Sequence, residues 1–450
     1  MINPFRFFAT GRDKPVIEDQ QTVDKLYRRY RLSVMMAITV GYGFAYTCRL
    51  VLAVVKKPLI DEGIFSATEL GIIGAALFWA YGLGKFTNGF LADHVNIKRF
   101  FAIGVLLSAL MNLAMGWSGV LIIWIILWSL NGWFQGFGAP TGAVALANWF
   151  SNHERGRYYG IWSTGQNQGE ALTYTGVIAL ISIFGWQAGF WGPGIFCIFV
   201  AIAIFIFLKD RPQTLGLPSV ADWKNDHGVP ETDSDGQPLK TGKAQLHIFK
   251  LPTIWVLGLA SATMYMTRYG INMSGILYLQ ETEGYSLFKA GILLTIASTV
   301  GIAGSVAYGF ISDLLFKARR PPLTLIFGII EVLALILIFF GSSGHPILLI
   351  IAFAIYGFTL NGLLAVLGGL FAIDIAPKKA AGAAMGFIGI FSYIGAGLQE
   401  MISGILIDKG TTIVDGVRHY DFSSAISFWI GASVVSMILA ATLWKVKVSD

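Results

Sequence analysis

Charge is what this sequence has least of. Of 450 residues only 13% are Asp, Glu, Lys or Arg, while 55% are hydrophobic. A water-soluble protein of this length needs more charge on its surface, so a soluble globular fold is excluded. Cysteine is nearly missing as well. Cys48 and Cys197 each lie inside an apolar stretch and read as small core residues, not as a disulfide or a metal site. The six histidines (His94, His153, His227, His247, His345 and His419) fall in predicted loops or at span ends and form no metal or catalytic cluster, so no cofactor is expected. No G-x-x-x-x-G-K phosphate loop is present, which counts against coupling to ATP. No cleavable leader pattern is read in residues 1–31, which are polar and basic and run into a full-length apolar span. The net charge of +6 does not point to nucleic acid, because basic loops follow from membrane topology.

What the chain does contain is a series of apolar stretches long enough to cross about 30 Å of hydrocarbon. They are predicted near 32–56, 67–92, 99–117, 120–149, 158–184 and 187–208, and again near 253–279, 287–315, 322–341, 346–374, 381–407 and 424–445. The expected fold is an all-α membrane protein of twelve transmembrane helices in two six-helix bundles. Residues 1–31 form a basic cytoplasmic segment and 32–208 the first bundle. Residues 209–250, rich in Pro and Asp, form a cytoplasmic loop, and 251–450 the second bundle. Basic clusters at Lys98-Arg99, Arg155, Arg157, Arg319-Arg320 and Lys378-Lys379 mark one side. Asp61-Glu62, Glu281, Glu283 and Asp408 mark the other, so both termini are predicted to be cytoplasmic.

The halves repeat each other. Gly89-Phe90-Leu91-Ala92-Asp93 recurs as Gly309-Phe310-Ile311-Ser312-Asp313, and both are followed by basic residues. Two parallel repeats with a site at their interface suit a secondary transporter. The duplicated loop reads as a conformational latch, with Asp93 and Asp313 pairing to cations such as Arg99 and Arg155; a plain helix-end charge pair is the alternative.

Two arginines stand out inside apolar spans, Arg49 and Arg268. At the centre of a lipid-facing helix an arginine costs ~2.5–3.5 kcal/mol on insertion scales. Such a residue is expected to face a polar interior and meet something negative. A guanidinium forks onto phosphate or carboxylate oxygens through two parallel bonds, so the pair reads as an anion site. The alternative is snorkelling, or pairing with a carboxylate inside the bundle. The fifth span is unusually polar, with Gln166, Asn167, Gln168 and Glu170 within five residues. Gln166, Asn167 and Glu170 share one arc, predicted to face the cavity. Glu170 in this span and Glu400 in the eleventh read as proton carriers or as balances for a cation. Lys85, one turn from Tyr81, either adds positive charge to the cavity or snorkels. Tyr42 and Tyr46 either hydrogen-bond a hydroxylated substrate or pack, Tyr265 lies three residues before Arg268 on its face and is counted with the substrate-binding residues, and Trp162 either stacks on a sugar-like body or packs.

The motifs Tyr27-Arg28-Arg29-Tyr30, Gly41-Tyr42 with Tyr46 and Arg49, Tyr81-Gly82-Leu83-Gly84-Lys85-Phe86 and Asn131-Gly132-Trp133-Phe134-Gln135-Gly136-Phe137-Gly138 lie in the first half. So do Glu154-Arg155-Gly156 leading to Trp162-Ser163, and Asp210-Arg211-Pro212-Gln213-Thr214-Leu215-Gly216-Leu217-Pro218. Tyr265 with Arg268-Tyr269-Gly270 and Ala376-Pro377-Lys378-Lys379-Ala380-Ala381-Gly382 follow. Through these the chain resembles, over nearly its whole length, the organophosphate:phosphate antiporter family of the major facilitator superfamily. The resemblance implies a rocker-switch cycle, with Arg49 and Arg268 clasping the substrate phosphate from opposite bundles, and Tyr393 at a cavity position. It also departs from the family: an expected Lys is Leu50, an expected His is Gln166, and Glu170 is new. A doubly charged ester is thereby weakened as substrate. The expected function is secondary transport of a small organic anion, a phosphorylated sugar, polyol or acid exchanged for inorganic phosphate. Proton-coupled organic anion uptake and sugar-phosphate sensing are the alternatives. The expected setting is a monomer in the lipid bilayer of a bacterial inner membrane.

Overall fold

An apolar run of about twenty residues has one low-energy form in hydrocarbon, the α-helix, because each backbone N–H must find an acceptor within the run. The computed structural model of the chain describes residues 7–92, 94–226, 248–316, 319–341, 344–372, 381–414 and 417–444. In chain order its helices are α1 (Gln20–Asp61), α2 (Ala67–Ala92), α3 (Ile97–Met115), α4 (Leu121–Gln135), α5 (Gly138–Trp149), α6 (Asn152–Leu172), α7 (Ile178–Phe184), α8 (Trp186–Phe207), α9 (Val220–Lys224), α10 (Pro252–Glu281), α11 (Leu287–Phe316), α12 (Arg320–Ile336), α13 (Pro346–Ala365), α14 (Ala381–Gly410) and α15 (Ser423–Thr442). Among the described residues, 10 helices are long and apolar enough to cross a membrane, α4 and α5 counting as one. The two tracts that complete the predicted twelve are α10 and 152–184, where a π-helical turn, Thr173–Val177, joins α6 to α7. They are the more polar tracts because they carry Arg268 and the Gln166–Glu170 cluster.

Two elements differ from expectation. The first helix begins at Gln20, well before its apolar span. Asp19 caps it by accepting from the Thr22 amide (3.0 Å). The polar extension is covered by the segment after α8: Tyr27 donates to the Pro218 carbonyl (2.6 Å) and stacks on Trp223 (4.0 Å), which donates to Asp24 (2.7 Å). Arg31 pairs with Glu154 (2.6 Å). The second surprise is a small antiparallel hairpin, β1 (Thr411–Val414) with β2 (Val417–Tyr420), where a loop was expected. It lays Arg418 against the Ile60 carbonyl at the end of α1 (2.5 Å).

The two halves meet where α1 packs on α10, α2 on α14 and α6 on α11. At one end α2 and α14 nearly touch. A Cβ on Gly71 would stand 2.5 Å from the Glu400 carbonyl, and one on Gly404 2.5 Å from that of Ala67, so only glycine permits this approach. At the other end the same helices diverge: a Cβ on Gly89 or Gly386 would meet nothing within 4 Å. One end is shut and the other is open.

Candidate functional site

Arg49 and Arg268 sit on the packed pair α1 and α10, and both are buried, at 1% and 2% exposure. Between them the hydroxyls of Tyr46 and Tyr269 lie 3.4 Å apart. The two cations have unlike surroundings. The Arg268 guanidinium is ion-paired with Glu170 of α6 and lies over the Tyr269 (5.2 Å) and Tyr265 (5.8 Å) rings. Gln166 turns its amide oxygen to the same guanidinium, 3.0 Å from Nη1. Glu170 also accepts from Ser298 Oγ of α11 (3.0 Å) and from Asn272 Nδ2 (3.5 Å). Among the described residues Arg49 meets no carboxylate. Its guanidinium is held between the Tyr81 (3.9 Å) and Tyr46 (4.5 Å) rings. None of its three nitrogens makes a well-aligned hydrogen bond among the described residues, the Tyr81 hydroxyl being the polar group within reach.

The predicted arc on α6 points inward. Asn167 donates to the Ser298 carbonyl (2.9 Å) and to Asn361 (3.3 Å), while Gln168 turns to the exposed side and is satisfied by Thr164 Oγ1 (3.1 Å). Tyr393 of α14 stands edge-on to Tyr81 (4.5 Å) and Tyr265 (5.6 Å). Lys85 is half-buried toward the open end, 5.7 Å from the Tyr393 ring. Tyr42 and Trp162 pack on each other (5.6 Å), and Trp162 abuts Gly142 and Tyr159. That is the packing alternative for Trp162. Leu50, where a family lysine was expected, is fully buried in the apolar core.

Glu400 is 0% exposed and pairs with Lys56 of α1 (3.0 Å), which also donates to Ser274 (3.3 Å). The latch residues are only partly described. Asp93 and the side chains of Arg155 and Asp313 lie outside the described residues, and Arg99 donates to the Phe7 carbonyl (2.6 Å). Ser298 was not singled out from sequence; Tyr269 entered only as part of the Arg268-Tyr269-Gly270 motif, and Lys56 only with Lys57 as a basic exception on the outer side. Only the fold brings the three to the charged groups of the site.

A cluster of buried cations, tyrosines and amides at the seam of two helical halves is the layout of a carrier. The Major Facilitator Superfamily model matches residues 35–399. The chain belongs to the Major Facilitator Superfamily. Within that superfamily it falls among the organophosphate:phosphate antiporter-like members. It is 32% identical over 407 residues to a probable hexose phosphate transport protein of Chlamydia pneumoniae, covering 87% of this chain and 88% of that one. It is 32% identical over 435 residues to the glycerol-3-phosphate transporter of Bacillus subtilis, covering 95% of each. It is 34% identical over 394 residues to the membrane sensor protein UhpC of Escherichia coli, covering 87% and 89%. In fold it matches a bacterial homologue of the human lysosomal transporter Spinster in an inward-facing, occupied conformation. The TM-score is 0.69 at 18% identity over 92% of this chain and 96% of that one, a likeness of fold alone. As a member of this superfamily the chain is a multi-pass membrane protein, and the family is one of transporters, not of enzymes.

Proposed function

We propose that this facilitator-superfamily protein carries a small organophosphate anion across the membrane by alternating access, in exchange for inorganic phosphate. The observation that carries the reading is Arg49, a buried guanidinium with every nitrogen unsatisfied among the described residues. Leaving a buried cation without a counter-ion costs several kcal/mol, and two flanking rings return only about 0.5–2 kcal/mol each. An anion entering from the open end supplies what Arg49 lacks: oxygens for a bidentate contact. Tyr46, Tyr81 and Tyr393 then offer hydroxyls to the rest of the cargo. Names borne by the relatives, hexose phosphate and glycerol-3-phosphate transport, agree with this chemistry. On the predicted topology, with both termini cytoplasmic in a bacterial inner membrane, the open end faces inward.

Proton-coupled uptake through Glu170 or Glu400 is less favoured, because each carboxylate has a cation beside it. Sensing is kept as a second reading by the 34% identity to UhpC. The deciding experiment is exchange in proteoliposomes. Labelled phosphate loaded inside should leave only when an external organophosphate is supplied. Accumulation driven by an imposed pH gradient alone would favour proton coupling, and ligand-induced stabilisation without any flux would favour sensing.

A further inference from the structure

The charges of the site constrain the charge of its cargo. Arg268 is cancelled by Glu170, and Lys56 by Glu400. Lys85 is half-buried at the open side, where water screens it. Leu50 adds no cation. Glu170 is not a loose group: Arg268 and Asn272 of α10 and Ser298 of α11 hold it, Gln166 of its own helix faces the same Arg268, and the Tyr174 and Tyr356 hydroxyls lie within electrostatic reach. It therefore acts as a fixed negative charge. Among groups as buried as Arg49, Arg268 and Glu170 each uncompensated charge is expensive, so cargo and site must nearly neutralise each other.

Resting on the function proposed above, we propose that the cargo is an organophosphate of one net negative charge, because Glu170 cancels Arg268 and leaves Arg49 as the desolvated cation to be matched. Two chemistries meet this condition: a phosphodiester, or a phosphomonoester whose body carries an amine. Glu170 is on this view a specificity-determining residue, selecting against dianionic monoesters.

The test uses the full chain in detergent and reads ligand-induced thermal stabilisation, from which apparent Kd follows. The probes are glucose 6-phosphate, 2-aminoethyl phosphate, whose alkylamine stays protonated at the higher pH, and a diglycerol phosphodiester. A monoester gains its second charge near pH 6, whereas a diester does not. Glucose 6-phosphate should bind about tenfold more weakly at about pH 8 than at about pH 5.5, and the diester, which corrects for the protein's own titration, should not change. 2-Aminoethyl phosphate matching the diester at the higher pH would point to the amine-bearing class; a diester alone in binding well there would point to phosphodiesters. In Glu170→Gln the dianion should gain about tenfold over the diester, and Glu170→Asp should keep the wild-type preference. Should Glu170→Gln fail to fold, the wild-type comparison across pH decides by itself. Tighter binding of the dianion than of the diester to wild type at the higher pH overturns this inference and leaves the transport reading standing. Stabilisation by no organophosphate at either pH overturns both.

Discussion

At the scale of single residues, the contrast between Arg49 and Arg268 organises the site. One guanidinium has its carboxylate built in, and the other has only π-faces. Ring faces suit a weakly hydrated planar cation but supply no anionic oxygen to its N–H groups, and that is what a phosphate would bring. Lysine at this position keeps the charge but loses the plane and the fork. Arg49→Lys should therefore lower phosphate exchange in proteoliposomes by at least about tenfold, with the reconstituted amount unchanged. Near wild-type exchange by that variant would remove Arg49 from the binding site. These arginines and the carboxylates were legible in the sequence because a charge within an apolar run is conspicuous. Tyr269 was legible only as part of the Arg268-Tyr269-Gly270 motif and not as a contact of the site, because one tyrosine among 16 carries no mark of its surroundings. Ser298 was hidden for a similar reason: a serine in an apolar span is commonplace until a carboxylate on another helix is found 3.0 Å away.

At the scale of elements, hydrophobic length located the helices, and the misjudged boundaries have a physical cause. Hydropathy finds only the apolar part of α1, the part that crosses the membrane largely buried among the other helices. The polar first turns are held by a cap and by aromatic contacts to the 212–224 segment, which are long-range and leave no local pattern. The pairing of α1 with α14 was likewise out of reach, since Lys56 and Glu400 are 344 positions apart. Their ion pair is buried, at 7% and 0% side-chain exposure, and it joins the two halves at the closed end. Removing one partner of such a pair strands the other. Lys56→Met should cost about 3–5 kcal/mol of stability, and adding Glu400→Gln should recover most of it, because a neutral amide no longer needs a cation. Thermal unfolding of the two variants in detergent checks this. Single and double variants equally stable would mean that the pair does not hold the halves together.

At the scale of the whole molecule, the closed end and the open end form one mechanical statement. Gly71 and Gly404 let α2 and α14 close on each other, while Gly89 and Gly386 on the same helices face open space. The twelve-span plan and the duplicated loop forecast two halves, but not which end would be shut, because that depends on contacts each end can make and break. The rim of the closed end is polar: Lys57 pairs with Glu281 of α10 and with Asp61 (3.1 Å), and Asp408 accepts from the Thr68 amide (2.9 Å). Polar contacts can be exchanged for water on opening, at far lower cost than an apolar seam, so the rim suits an end that reopens in each cycle. If it does, tethering it must stop turnover. Cysteines at Lys57 and Glu281, joined by a short thiol reagent with a reducible link, should abolish exchange and leave ligand binding from the open end intact; reductant should restore exchange. The native Cys48 and Cys197 are buried and should stay unmodified. Undiminished exchange with the tether in place would show that the closed end does not open during transport, and alternating access across this seam would have to be abandoned.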